Sequence, residues 1–159
     1  MELWDAYDEH GNKIEGMILK REDPIPAGIY HLGVSVTVRH TDGTFLITQR
    51  EPTKNCGGMW EATSGGSAIL GEDALAGAKR ELFEETGLQG GEWTEMGRGI
   101  VRDSQHLYVD FLCVLDCEKD SIRLQPRETV AYRWVTKEEL LSFPEEEMCT
   151  EHLAKYYGN

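Results

Sequence analysis

The stretch from Gly65 to Gln89, GGSAILGEDALAGAKRELFEETGLQ, constrains this chain more than any other. From Glu72 to Thr86 the residues Ala74, Leu75, Ala78 and Leu82 recur at three- and four-residue steps, which predicts a helix with one apolar face packed on a sheet. The same helix carries Glu81, Glu84 and Glu85 at i, i+3 and i+4. Like charges at this spacing repel by about 0.2–0.5 kcal/mol, so the arrangement calls for a cation. Glutamate oxygens are hard donors suited to Mg²⁺ or Mn²⁺, ions that keep several waters and bridge to substrate phosphates. Arg80 is placed to pair with Glu84 at i+4, orienting one carboxylate and offsetting the crowding. Gly87 supplies the backbone freedom of a helix C-terminus, while Gly71, Glu72 and Asp73 are all candidates at the other cap. Ahead of the loop SAILG, Gly65 and Gly66 permit a sharp turn or a close backbone approach to a ligand.

The remaining 130 or so residues read as roughly what one domain needs around such a helix. A single domain over 1–159 is expected, with a hairpin and connector at 1–28. ELWDAYDEHGNKIEG reads as two strands around a turn, and REDPIPAG as a proline-broken connector. IYHLGVSVTVRH and TFLITQR flank TDGT, a hairpin signal, and MWEATS reads as one short strand after the loop KNCGG. Further strands are expected at 94–101, 106–116 and 129–135, then short helices at TKEELLSF and PEEEMCTEHLAKYY, with Thr136 and Glu139 as a capping box. The acidic run PEEEMCT reads as the cap of the last helix, where its charges meet the positive dipole end. Strands outnumber helices and the hairpins favour a mixed or antiparallel sheet, an α/β (α+β) arrangement with the long helix on one side.

Acidic residues number 29 against 16 Lys and Arg, a formal charge of −13 that disfavours nucleic acid and anionic membrane as partners. A phosphorylated small molecule remains compatible where local basic groups or bound cations offset the repulsion. The start MELWDAYDEH lacks a basic segment followed by an apolar one, and runs such as FLCVL are far too short to span a bilayer, so a cytoplasmic location is expected. Four unevenly spaced cysteines read as reduced thiols. A zinc set of Cys113, Cys117, Cys149 and His152 has no familiar ligand spacing.

Gly66, five residues, Glu72, seven residues, Arg80-Glu81-Leu82, one residue, Glu84-Glu85, one residue, Gly87-Leu88 matches every fixed position of the Nudix box across 23 consecutive residues. The chain therefore resembles the Nudix hydrolase superfamily. That resemblance implies an α/β/α sandwich around a mixed sheet, with 65–88 as a loop–helix–loop that binds Mg²⁺ or Mn²⁺. It implies Glu84 and Glu85 as metal ligands, Glu81 as ligand or general base, Arg80 as the group orienting carboxylates, Glu72 as a loop support, and the carbonyl of Gly65 or Gly66 as a further ligand. Glu128, in QPRETVAYRWV, lies where many Nudix enzymes carry another carboxylate that binds metal or acts as base. A homodimer is implied by the same resemblance alone.

ELWDAYDEHGNKIEG, YHLGVSVTV, FLITQR and GMWEATSGG are similar to the subgroup related to isopentenyl-diphosphate isomerase. In that pattern a catalytic cysteine and a metal-binding histidine fall where this chain has Gly65 and Ser67, and SQHLYVD replaces the acidic ligand pair. Hydrolysis of a nucleoside-diphosphate-linked compound is thus expected ahead of isomerisation of a prenyl diphosphate, or of a module that binds a nucleotide without cleaving it. Arg50 at a strand end and Lys54 are candidate phosphate contacts, with solvated strand-end charges as the alternative. Trp60 is a candidate base-stacking residue, although an aromatic in a half-buried strand is more often core. His31 reads as a satisfied strand histidine, and His106 and Tyr108 as strand residues able to edge a pocket.

Overall fold

The computed structural model describes residues 1–158. Strands β1 (Leu3–Tyr7) and β2 (Lys13–Lys20) form the expected N-terminal hairpin. Its turn is built on Asp8, whose carboxylate accepts the backbone N–H groups of His10 and Asn12 at 2.8 and 3.0 Å. This is the local hydrogen bonding that makes Asp a turn former.

The main sheet contains β3 (His31–His40), β4 (Phe45–Arg50), β5 (Trp60–Glu61), β6 (Ser64–Ser67), β7 (Glu92–Val101), β8 (His106–Leu115) and β9 (Thr129–Val135). Its order is β5-β4-β3-β8-β7, with β6 paired to β3 and β9 to β4. β3 and β8 run parallel in register from His31 opposite His106 to His40 opposite Leu115, and the other pairings are antiparallel. The sheet is therefore mixed, one of the two arrangements the hairpin signals favoured.

Each face of the sheet buries its own core, because alternate residues of a strand point to opposite sides. On one face, Val34, Val36 and Val38 of β3 and Val109, Phe111 and Cys113 of β8 pack with Ala78 and Leu82 of helix α1 (Ala74–Thr86). On the other, Phe45, Ile47, Leu112 and Val135 pack with Leu140 of α2 (Lys137–Leu141) and Tyr157 of α3 (Leu153–Tyr157). The product is the α/β/α sandwich.

Of the three cap candidates, Asp73 begins α1, accepting the Ala76 N–H at 2.8 Å. Glu72 is thereby freed from the helix and accepts the Ile69 N–H at 2.9 Å. Gly87 closes α1 at φ 79°, a left-handed conformation that only glycine adopts cheaply, and donates to the Phe83 carbonyl. The Thr136–Glu139 capping box forms.

Two local expectations change. MWEATS is two strands, not one: β5 pairs with β4 while β6 crosses to β3, so Ala62 and Thr63 mark a change of partner. PEEEMCTEHLAKYY is not a continuous helix either. Glu145–Glu147 makes a single 3-10 turn, Met148 bridges to Trp60, and α3 starts only at Leu153, so the acidic run does not cap it. Tertiary pairing with β5 captures backbone that local propensity would have left helical.

Candidate active site

β6 and α1 place the acidic residues. β6 lies antiparallel to β3, with Gly65 opposite Ser35 and Gly66 opposite Val34. Of the two expectations for Gly66, the sharp turn is not found, since the residue lies in a strand; a Cβ there would stand 2.5 to 2.9 Å from the carboxyl atoms of Glu81. At Gly65 a Cβ would come within 2.9 Å of the Val34 carbonyl. Two glycines in a strand thus let the helix carboxylate lie directly on the sheet backbone.

Arg80 is the hub of this face. Its Nε and Nη2 donate to the two oxygens of Glu72 at 2.7 and 3.1 Å. Nη1 donates to Glu81 at 3.1 Å and to Glu84 at 3.0 Å, and Nη2 also reaches the Ser67 carbonyl at 3.0 Å. The i+4 pairing expected with Glu84 is therefore one arm of a larger fork, which ties α1 to β6 and to the loop held by Glu72. Planar guanidinium geometry makes such multiple contacts possible.

Glu85 lies deepest, with 6% of its surface exposed, and accepts a hydrogen bond from Ser64 Oγ at 2.5 Å. Burial pushes its pKa up to about 8, and the nearby Glu61 carboxylate adds to the rise. Burial also raises Glu81, with Arg80 opposing it, and raises Glu61, with Arg50 opposing it. Glu61 escaped the sequence reading. Its signal was a carboxylate in the half-buried strand WEAT, and Arg50 Nη1 donates to it at 3.2 Å.

A cleft of about 870 Å³ is lined by Glu81, Glu84, Glu85, Gly65, Gly66, Arg80, Arg50, Lys54 and Glu128. Nine positions singled out from the sequence are thus brought together. Arg50 is held by Glu61 and by the Asn55 carbonyl, and Lys54 pairs with Glu128. Trp60 stands apart from the cleft wall, with its ring beside Phe143 and the Arg133 guanidinium 5.7 Å from its centroid. The four cysteines are free thiols.

Divalent metal suits these donors. Among the described residues, no three His, Cys, Asp or Glu side chains form a ready-made cage. Mg²⁺ does not need one, since it is held by one or two carboxylates together with waters and substrate phosphates. The fit is visible in buried Glu85 and half-buried Glu81, carboxyls whose proton affinity is raised by burial beside the glycines of β6. A cation there would favour their ionised form.

Among known proteins, the chain is 30% identical over 145 residues to the uncharacterized Nudix hydrolase lin0387 of Listeria innocua, a match covering 88% of this chain and 83% of that protein. DR0079 from Deinococcus radiodurans shares the fold with a TM-score of 0.76 at 19% identity, over 99% of this chain and 98% of the other. The NUDIX domain of Shewanella oneidensis NrtR, solved with ADP ribose, aligns with a TM-score of 0.60 at 16% identity, over 78% and 84% of the two chains. The profile of the NUDIX domain matches residues 29–155, which include the whole carboxylate cluster. With the box laid along α1, Glu81 and Glu85 meeting β6 and that match spanning most of the sequence, the chain belongs to the Nudix hydrolase family.

Proposed function

We propose that this chain hydrolyses the diphosphate linkage of a nucleoside-diphosphate-linked small molecule, with Mg²⁺ or Mn²⁺ as cofactor, acting as a single domain over 1–159. The observation that supports it most is the pairing of buried Glu85 with half-buried Glu81, the latter against Gly66, in a cleft that also holds Arg50 and Lys54. Glu84, Glu85 and the Gly66 carbonyl would hold the metal. When bound, it supplies charge neutralisation at the phosphate oxygens and a lowered pKa for coordinated water.

The chain's own groups do the rest. Arg80 keeps Glu81 and Glu84 oriented and prevents their mutual repulsion from splaying them. Glu81, with its proton affinity raised by burial, is suited to take a proton from the attacking water, because a general base works best when its pKa approaches the working pH. Arg50 and Lys54 can exchange Glu61 and Glu128 for substrate phosphate oxygens, so both carboxylates double as placeholders. In the NrtR domain this fold receives ADP ribose, a compound of the proposed class.

Isomerase-like kinship in the flanks bears on scaffold only, since Gly65 and Ser67 provide neither the thiol nor the imidazole that alkene protonation would use. Among the described residues, no helix is long and apolar enough to cross a membrane. A cytoplasmic location and a homodimer belong to the same proposal, the latter checked by mass in solution.

The test is a panel of diphosphate compounds incubated with Mg²⁺ and with Mn²⁺, products being identified by chromatography. Cleavage between the two phosphorus atoms, abolished by chelation and restored by added metal, is expected. Turnover that persists after chelation would refute the reading, as would formation of an allylic isomer from isopentenyl diphosphate without phosphate release.

A further inference from the structure

A second cavity, of about 410 Å³, opens on the sheet beside the carboxylate cleft and shares Gly66 and Ser67 with it. β3 and β8 form its floor, and the segment from Cys149 to Tyr157 forms its far wall. The rings of Tyr108 and His152 stand in it nearly parallel, 13° apart in plane, with centroids 6.3 Å apart. That separation lies within the range in which aromatic rings pair, and together the two rings offer a planar ligand an apolar surface in the cavity.

Tyr108 and Tyr156 are set in place by the sheet itself. A Cβ at Gly99 would lie 2.5 Å from the Tyr108 hydroxyl, and one at Gly97 would collide with that of Tyr156. Two glycines at alternate positions of β7 therefore clear a shelf on which both phenol rings rest. The Tyr156 hydroxyl donates to Asp110 at 2.8 Å and Ser35 donates to the other oxygen of Asp110 at 2.7 Å, which fixes that carboxylate as an acceptor.

Lys and Arg side chains distinguish the two cavities. Arg50, Lys54 and Arg80 line the first, whereas among the described residues lining the second there is no Lys or Arg, and its charged groups include Glu61, Asp110 and Glu151. Burial depresses the pKa of His31 to about 4, with His106 adding to the effect, and burial depresses that of His106 itself, so neither ring supplies positive charge at neutral pH. Phosphate is unfavourable here. A planar neutral group that offers N–H donors is complementary.

We infer that this pocket receives the heterocyclic base of the substrate, stacked on Tyr108 and His152, and that its carboxylates select bases with an exocyclic amino group over their keto counterparts. The inference rests on the proposed hydrolysis only for where the diphosphate sits. Its occupant follows from the continuity at Gly66 and Ser67, which joins the cleft lined by Arg50 and Lys54 to an aromatic one that, among the described residues, is lined by no Lys or Arg.

Two measurements test it separately from the hydrolase reading. In the first, unphosphorylated adenosine, inosine, cytidine and uridine are titrated into metal-free protein and followed by NMR of the Tyr ring protons. Adenosine and cytidine should bind more tightly than inosine and uridine, and Tyr108→Ala should abolish the response. In the second, kcat/KM is compared between a nucleoside diphosphate and the ring-free isopentenyl diphosphate. Tyr108→Ala and His152→Ala should each lower that ratio about tenfold through KM, as expected for loss of base stacking, while Tyr108→Phe retains it. Equal losses on both substrates, no shift on nucleoside titration, or a preference for keto bases would overturn the inference. Nucleoside binding at Tyr108 without diphosphate cleavage would uphold the pocket and refute the hydrolase reading alone.

Discussion

In the proposed reading Glu85 couples the chemistry of the site to the stability of the fold, and Glu85→Gln exposes that coupling. With the metal removed, the carboxyl has a pKa of about 8 in the folded chain against 4.5 for the ordinary glutamate. A group whose folded pKa is raised contributes stability that is fully present below the unfolded value and is lost as pH climbs through the folded one. Between pH 4.5 and 8 the metal-free protein should therefore lose on the order of 5 kcal/mol from this residue, at about 1.4 kcal/mol per unit. Glutamine cannot ionise and keeps an oxygen to accept from Ser64, but its NH₂ group needs a partner and returns about 1–3 kcal/mol of the gain. The net stabilisation of the variant at pH 8.5 is about 2–4 kcal/mol. In a domain of this length that raises the thermal midpoint by about 5–15 °C. Circular dichroism melts in chelator at pH 4.5 and pH 8.5 make the comparison, with the gain present only at the higher pH. Excess Mg²⁺ should then raise the midpoint of the unsubstituted protein and leave the variant's unchanged, while the variant's hydrolysis is lost. A difference in midpoint that is the same at both pH values, or a variant less stable at pH 8.5, would refute the assignment of Glu85 as a buried, electrostatically strained carboxylate.

Gly66→Ala should displace Glu81, because the added methyl meets only the far end of that side chain; kcat is expected to fall about 10- to 100-fold with the melting curve little changed. Arg80→Ala removes the shared partner of Glu72, Glu81 and Glu84 and should cost about 1–3 kcal/mol in denaturant titration, Lys restoring less than half because it lacks the fork. Leu82→Ala, at a position with no exposed surface, should cost about 2–5 kcal/mol by the same measurement. Gly87→Ala should cost about 1 kcal/mol, since alanine must adopt φ 79° there.

Much of the fold was legible because its determinants are local. The 3.6-residue stripe of α1, the Asp8 turn, Gly87 and the Thr136–Glu139 box are each encoded within a few residues, and the structure realises all of them. The carboxylates of the box were legible for the same reason: i, i+3 and i+4 on a helix are neighbours whatever the helix packs on. What local pattern could not reveal is which distant backbone approaches them. The role of Gly66 as a seat for Glu81, the capture of Arg50 by Glu61 and of Lys54 by Glu128, and the placing of Trp60 away from the cleft all follow from strand pairing across long stretches of chain. The break in the last predicted helix has the same origin, since Met148 bridges to Trp60 instead of continuing a helical turn. Side-chain type and short-range spacing thus determined the metal-suited helix and the class of chemistry. Only the tertiary structure decided how deeply Glu85 is buried, hence how strongly it holds its proton, because desolvation depends on everything packed around a group and not on its neighbours in sequence.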